Sequence, residues 1–190
     1  EHYYFANSPE IRADQETFKG DRDGFWVNFC RRHLIALGTH PSQAIELSGA
    51  AATYMSENHK PQVHVPQEVR NVLASMQEAG YILGVVSNRE KPYQEELKEL
   101  KLDIHFNFSL AGGEVPSYKP DPAIFERALE LAGTSAPETV YVGDNYFADI
   151  VGSRRAGLRP VLYDPISLFP EADCAVIKSF DELLSIVGHV

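Results

Sequence analysis

VYVGDNYFAD, residues 140–149, decides how this chain folds. Val140, Tyr141 and Val142 form a short apolar run that passes through one glycine, Gly143, into Asp144. Such a run is expected as a strand buried on both faces, with the polar residue marking its end. Asp149 follows five residues later, in the first turn of an expected helix, "FADIVGSRRAG" (147–157).

The same alternation extends in both directions. Upstream, "PQEVRNVLASMQEAG" (66–80) has an amphipathic helical pattern opened by Pro66 and closed by Gly80, and "YILGVVSN" (81–88) is an apolar strand. Helix "YQEELKELKL" (93–102) leads to strand "FNFSLAG" (106–112), and helix "PAIFERALELAG" (122–133) leads back to 140–149. Downstream lie strands "RPVLYD" (159–164) and "CAVIK" (174–178) and a last helix, "FDELLSIV" (180–187). Strands alternating with helices of this length imply parallel β-α-β units and a doubly wound, Rossmann-like α/β sheet.

Residues 1–60 differ and have a helical pattern throughout. "DGFWVNFCRRHLIALG" (23–38) places Phe25, Trp26, Phe29, Cys30, His33, Leu34 and Leu37 on one face at helical spacing. A second helix begins with Pro41 in its first turn. "GDRDGFW" (20–26) contains Asp21-x-Asp23-Gly24, a string that also opens the active sites of aspartate-nucleophile phosphatases. Here "RADQETFKG" before it is polar and the residues after it are helical, so Asp21 or Asp23 is expected as a helix N-cap.

Composition narrows the function classes. The 190 residues carry 27 acidic and 17 basic side chains, a net charge of −10, and no basic cluster longer than Arg31-Arg32 or Arg154-Arg155. A nucleic-acid footprint is therefore not expected. Cys30 and Cys174 are far apart and fit neither a zinc site nor a disulfide framework, which points to a reducing cytoplasm. No apolar run approaches the ~18 residues of a membrane span.

In a doubly wound sheet, ligands bind beyond the carboxyl ends of the strands. Three such ends carry chemistry. Ser87 and Asn88 follow "GVV", where a hydroxyl and a backbone N–H can bind a phosphate oxygen, although serines there also cap helices. Lys119 lies in "SYKPDPAIF" (117–125). Asp121 and Pro122 have a capping explanation there, and Lys119 can neutralise a carboxylate or phosphate. Asp144 and Asp149 are two carboxylates that can face one pocket; held together they repel unless a cation lies between them, and oxygen ligands of this kind suit Mg²⁺.

In that order, "VVSN", "YKPDP" and "VGDNYFADI" resemble the haloacid dehalogenase-like hydrolase superfamily, in its phosphoglycolate-phosphatase-like branch. The resemblance makes residues 61–190 the α/β core and residues 1–60 a small α-helical cap, with Tyr3, Tyr4, Phe5, Phe25 and Trp26 as candidate lining. It implies that Ser87 and Asn88 hold the phosphoryl group and that Lys119 steadies the charges. Asp144 binds Mg²⁺, and Asp149 completes or supports the metal shell. The implied activity is a Mg²⁺-dependent phosphatase of small phosphorylated metabolites, working through an aspartyl-phosphate. Alternatives are a metal-independent 2-haloacid dehalogenase and a non-catalytic binding module. The superfamily's first motif, an apolar strand running into D-x-D, is absent from this sequence, so the chain alone is expected to be inactive. Because that strand is central to the superfamily's sheet, an upstream segment carrying the nucleophile is expected.

Overall fold

In the structure, a computed structural model that describes residues 9–58 and 63–188, the chain divides into two units, Glu1–His64 and Val65–Val190. The first contains helices α1 (Pro9–Thr17), α2 (Arg22–Ala36) and α3 (Pro41–Asn58). Asp21 accepts the Gly24 amide at 2.9 Å and starts α2, so the D-x-D-G string is a helix cap. Asp14, buried on α1, ties α1 to α2 by accepting from Arg32 Nη2 at 2.8 Å and from Asn28 Nδ2 at 2.7 Å. On α2, Phe29 is buried and meets Trp26 edge-on, with ring centroids 5.4 Å apart. Leu37 departs from its expected place on the buried face. The helix ends at Ala36 and Leu37 is 80% exposed, because the chain turns there toward Gly38 at φ +94°. Tyr3, Tyr4 and Phe5 lie outside the described residues.

The second unit is the α/β part, and its fold class is as expected. Helices α4 (Val69–Glu78), α5 (Gln94–Glu99), α6 (Pro122–Ala132), α7 (Gly152–Arg155) and α8 (Leu183–Val187) accompany five strands. The strands are β1 (Gly84–Ser87), β2 (Phe108–Ala111), β3 (Val140–Gly143), β4 (Arg159–Tyr163) and β5 (Ala175–Ile177). All described pairings are parallel. Side-chain alternation sends neighbouring residues to opposite faces. Val85 of β1 packs with Tyr93 and Leu97, near α5, whereas Val86 packs with Ile124 and Phe125 of α6. On β3, Val140 and Val142 face Val72 and Met76 of α4, whereas Tyr141 joins the α6 side. Each fully buried apolar side chain in these layers contributes about 1.5–3 kcal/mol.

The sheet consists of two pieces, β1-β2 and β3-β4-β5, as expected for a core whose central strand is absent from this sequence. Among the described residues no strand pairs with the remaining edge of β1 or of β3. Residues 81–88 also form a shorter strand than their apolar run implied, with Tyr81 and Ile82 exposed, since β1 is covered along one edge only. No helix among the described residues is long and apolar enough to cross a membrane.

Candidate active site

The open edge of β1 is met by side chains. Leu83 bonds to Asn107 through both its N–H and its carbonyl, on the β2 side. Backbone groups alternate in direction along a strand, so Val86 turns its carbonyl the other way. That carbonyl is 3.4 Å from Lys119 Nζ and 3.4 Å from the Tyr141 hydroxyl, so two side chains bridge β1 to β3.

Lys119 reaches this place through a local clamp. Its N–H donates to Asn88 Oδ1 at 2.6 Å, and its carbonyl accepts from Asn88 Nδ2 at 2.8 Å. Downstream, Asp121 accepts the Ala123 amide at 3.0 Å with Pro122 in the first turn, so α6 starts directly after the lysine. The Asn88 side chain is thus occupied in positioning Lys119, and any phosphate contact at Asn88 falls to its backbone. Asn88→Ala removes both clamp bonds and is expected to lower stability by about 1–2 kcal/mol, read as a shift in the urea midpoint with unchanged slope.

The ammonium of Lys119 donates to Asp149 Oδ1 at 2.6 Å and to the Tyr141 hydroxyl at 3.1 Å. The side chains of Lys119 and Asp149 are only 12% and 4% exposed, which makes this a buried ion pair. Burial alone disfavours the charged lysine, but the Tyr141 oxygen and the Asp149 carboxylate outweigh it, and the Lys119 pKa sits above the ordinary lysine value. Burial also pushes the Tyr141 phenol up to about 12, so it remains protonated at neutral pH.

Asp149 is held from its other side by the Asn145 N–H, which donates to Oδ2 at 2.9 Å. Both carboxylate oxygens therefore have partners within the fold. In this arrangement one oxygen of Asp149 holds the Lys119 ammonium and the other accepts the Asn145 amide. Residues 146–151 are wound as a π-helical stretch instead of the ordinary helical turn expected there. Asn145 starts the stretch by accepting the Ala148 amide at 2.9 Å. Gly143 is required by close approach, since a Cβ there would lie 2.3 Å from Asp149 Cγ. A second anchor holds the stretch from outside, where the Tyr146 hydroxyl donates to Asp173 at 2.6 Å and Arg154 donates to the same carboxylate at 2.8 Å. Arg154 and then Tyr146 lower the Asp173 pKa to about 2.

Asp144 is exposed at the carboxyl end of β3, and Ser87 ends β1, paired with Ala111. Ser87 does not cap the following helix; α5 starts seven residues later, at Gln94, after Tyr93. The structure therefore brings Lys119 into direct contact with both Asn88 and Asp149, and sets Ser87 and Asp144 at the ends of the two strands that Lys119 and Tyr141 bridge. Sequence reading missed Tyr141 and Asn145. Tyr141 looked like one more apolar strand residue, whereas Asn145, an Asn ahead of a helix, carried a readable cap signal.

The haloacid dehalogenase-like hydrolase family model matches residues 31–162, a span that includes every one of these groups. The chain belongs to this family. Among its haloacid dehalogenase-like relatives, domain-containing protein 3 of Danio rerio is 34% identical over 126 residues, 63% of this chain and 51% of the relative. Phosphoserine phosphatase of Thermus thermophilus is 34% identical over 135 residues, 70% of this chain and 52% of that enzyme. The crystal structure of 2-haloacid dehalogenase from Pseudomonas syringae pv. Tomato matches with a TM-score of 0.63 at 26% identity, over 99% of this chain and 80% of that one. The chain thus spans about half the length of these two curated relatives.

Family members of the phosphatase type imply a divalent metal. Among the described residues no group of three or more His, Cys, Asp or Glu side chains is arranged to hold one. The donor chemistry nevertheless fits Mg²⁺, which takes one or two carboxylates and fills its remaining positions with water and phosphate oxygens. Asp144 supplies such a carboxylate at the strand end.

Proposed function

We propose that this chain carries most of the site of a Mg²⁺-dependent, cytoplasmic phosphatase of small phosphorylated metabolites, with residues 1–60 as its helical cap subdomain. The observation that carries the reading is the buried Lys119–Asp149 pair, fixed at the ends of the strands from which Ser87 and Asp144 project. A buried charge pair is costly to desolvate and often no better for stability than apolar packing, so its presence at the strand ends favours a functional role. Ser87 and the Asn88 N–H bind oxygens of the phosphoryl group. Lys119 neutralises charge as it builds on the transferring group, and Asp149 keeps the ammonium aimed. Asp144 would hold Mg²⁺, which when bound supplies charge stabilisation to the phosphoryl oxygens. The attacking carboxylate belongs, in this reading, to a strand that fits the open edges of β1 and β3, so residues 1–190 alone hydrolyse nothing.

The test is p-nitrophenyl phosphate hydrolysis by the whole gene product. EDTA and Asp144→Asn are each expected to lower the rate by about 10²-fold or more, the scale for losing one electrostatic partner of a transition state. The likeness to a 2-haloacid dehalogenase supports a second reading. Turnover of 2-haloacids that persists in EDTA would establish it and end the phosphatase proposal. Absence of both activities would leave a binding module.

A further inference from the structure

Tyr141 carries a hydroxyl that its packing does not require. Its ring fills a place among Leu110, Ile124, Phe125, Ala128 and Leu158, with the Phe125 ring edge-on and centroids 4.9 Å apart. A phenylalanine would fill that place equally well, and burying a hydroxyl costs free energy unless it is bonded. On the donor side it gains little, since the Val86 carbonyl is 3.4 Å away, beyond the usual O–H···O distance of about 2.7–2.8 Å. The shorter of its two hydrogen bonds is the 3.1 Å bond it accepts from Lys119 Nζ.

A lysine ammonium carries three N–H groups on a long, flexible stem. In Lys119 they meet three oxygens: Asp149 Oδ1 at 2.6 Å, the Tyr141 hydroxyl at 3.1 Å and the Val86 carbonyl at 3.4 Å. Asp149 alone would fix one N–H and leave the other two free to turn about that bond. A second fixed acceptor removes the rotation, and tetrahedral geometry then sets the direction of the third N–H. That third group has the longest of the three bonds, to a carbonyl on the unpaired edge of β1.

We propose that Tyr141 is a positioning residue: its hydroxyl, with Asp149, fixes two N–H groups of Lys119 and aims the third at the gap between β1 and β3. The proposal rests on the phosphatase reading above, in which the strand bearing the attacking carboxylate fills that gap. The two fixing bonds use no backbone group of β1 or β3, so they are compatible with such a strand. The Val86 carbonyl does belong to the edge. Once an incoming amide takes it, the third N–H is released toward the attacking carboxylate and the phosphoryl group. Asp149 supplies the charge that keeps the ammonium buried, and Tyr141 supplies its direction.

The experiment compares the native whole gene product with Tyr141→Phe, which keeps the ring and removes the hydroxyl alone. For p-nitrophenyl phosphate, kcat is expected to fall about tenfold, the scale of a hydrogen bond to a charged group. KM should stay within about twofold, as for an interaction used only in the transition state. Tm should drop by no more than about 4 °C, one hydrogen bond's worth in a protein of this size. The second readout is the ¹⁵N resonance of the Lys119 ammonium, identified by its absence in Lys119→Arg. It is expected to be sharp in the native protein and broadened by faster proton exchange in Tyr141→Phe. A kcat within twofold of native overturns the proposal, and so does an unchanged ammonium resonance. A larger drop in Tm with both readouts unmoved would assign the hydroxyl to the fold alone. If the native enzyme hydrolyses no phosphate ester, the phosphatase reading fails and the resonance decides by itself. Broadening then upholds Tyr141 as the group that positions Lys119, and an unchanged resonance overturns it.

Discussion

Lys119→Met is expected to lower the unfolding free energy of the α/β unit by about 3–5 kcal/mol, the cost of stranding one member of a buried ion pair. The size follows from the 4% exposure of the Asp149 carboxylate, which would lose its 2.6 Å partner and keep only the Asn145 amide. A domain's whole stability is about 5–15 kcal/mol, so the variant should be visibly compromised. Hydrogen exchange of the β1 and β3 amides reads the loss where it occurs. The informative companion is the double variant Lys119→Met/Asp149→Leu. Replacing both charges by apolar groups removes the desolvation penalty as well as the attraction, so most of the stability should return. That recovery, without recovery of phosphate chemistry, would separate what the pair does for the fold from what it does for the site. A loss below about 1 kcal/mol in the single variant would mean the pair is solvated, and the site as described would be wrong.

Gly143→Ala should have the second largest effect. Its Cβ would stand 2.3 Å from Asp149 Cγ and 2.4 Å from Oδ2, distances that real side chains do not reach. Since β3 is held by its parallel pairing to β4, the carboxylate has to give way. Overpacking typically costs about 1–3 kcal/mol, and displacing Asp149 also lengthens its bonds to Lys119 and Asn145. An expected loss of about 2–4 kcal/mol combines the two effects, measured by denaturant midpoint at constant slope. Asp149→Ala relieves the clash at the cost of the ion pair. Adding Gly143→Ala to that background should therefore cost far less than it does in the native chain, and an unchanged cost would refute the close approach as the cause.

The functional geometry depends on groups far apart in the chain. Asn88 grips the backbone of Lys119, 31 residues away, and Lys119 in turn holds Asp149, 30 residues further on. Removing any of the three should therefore disturb the other two, which is the physical sense in which they form one site.

What the sequence determined by itself was whatever is written in local periodicity and local capping. The apolar runs ending in Ser87 and Asp144, the Asp121-Pro122 helix start and the Asp21 cap were all readable, because each depends on neighbours within a few residues. The identity of the strand-end residues was readable for the same reason, since a strand's carboxyl end is set by where its apolar run stops. Partner choice was decided only by the tertiary structure. Tyr141 and Val142 are indistinguishable as strand residues until packing sends one toward α6 and Lys119 and the other toward α4. That Lys119 and the Asn145 amide meet the two oxygens of Asp149 was likewise visible only in the fold. Such pairings depend on distances between segments remote in sequence, and side-chain chemistry alone leaves many of them equally possible.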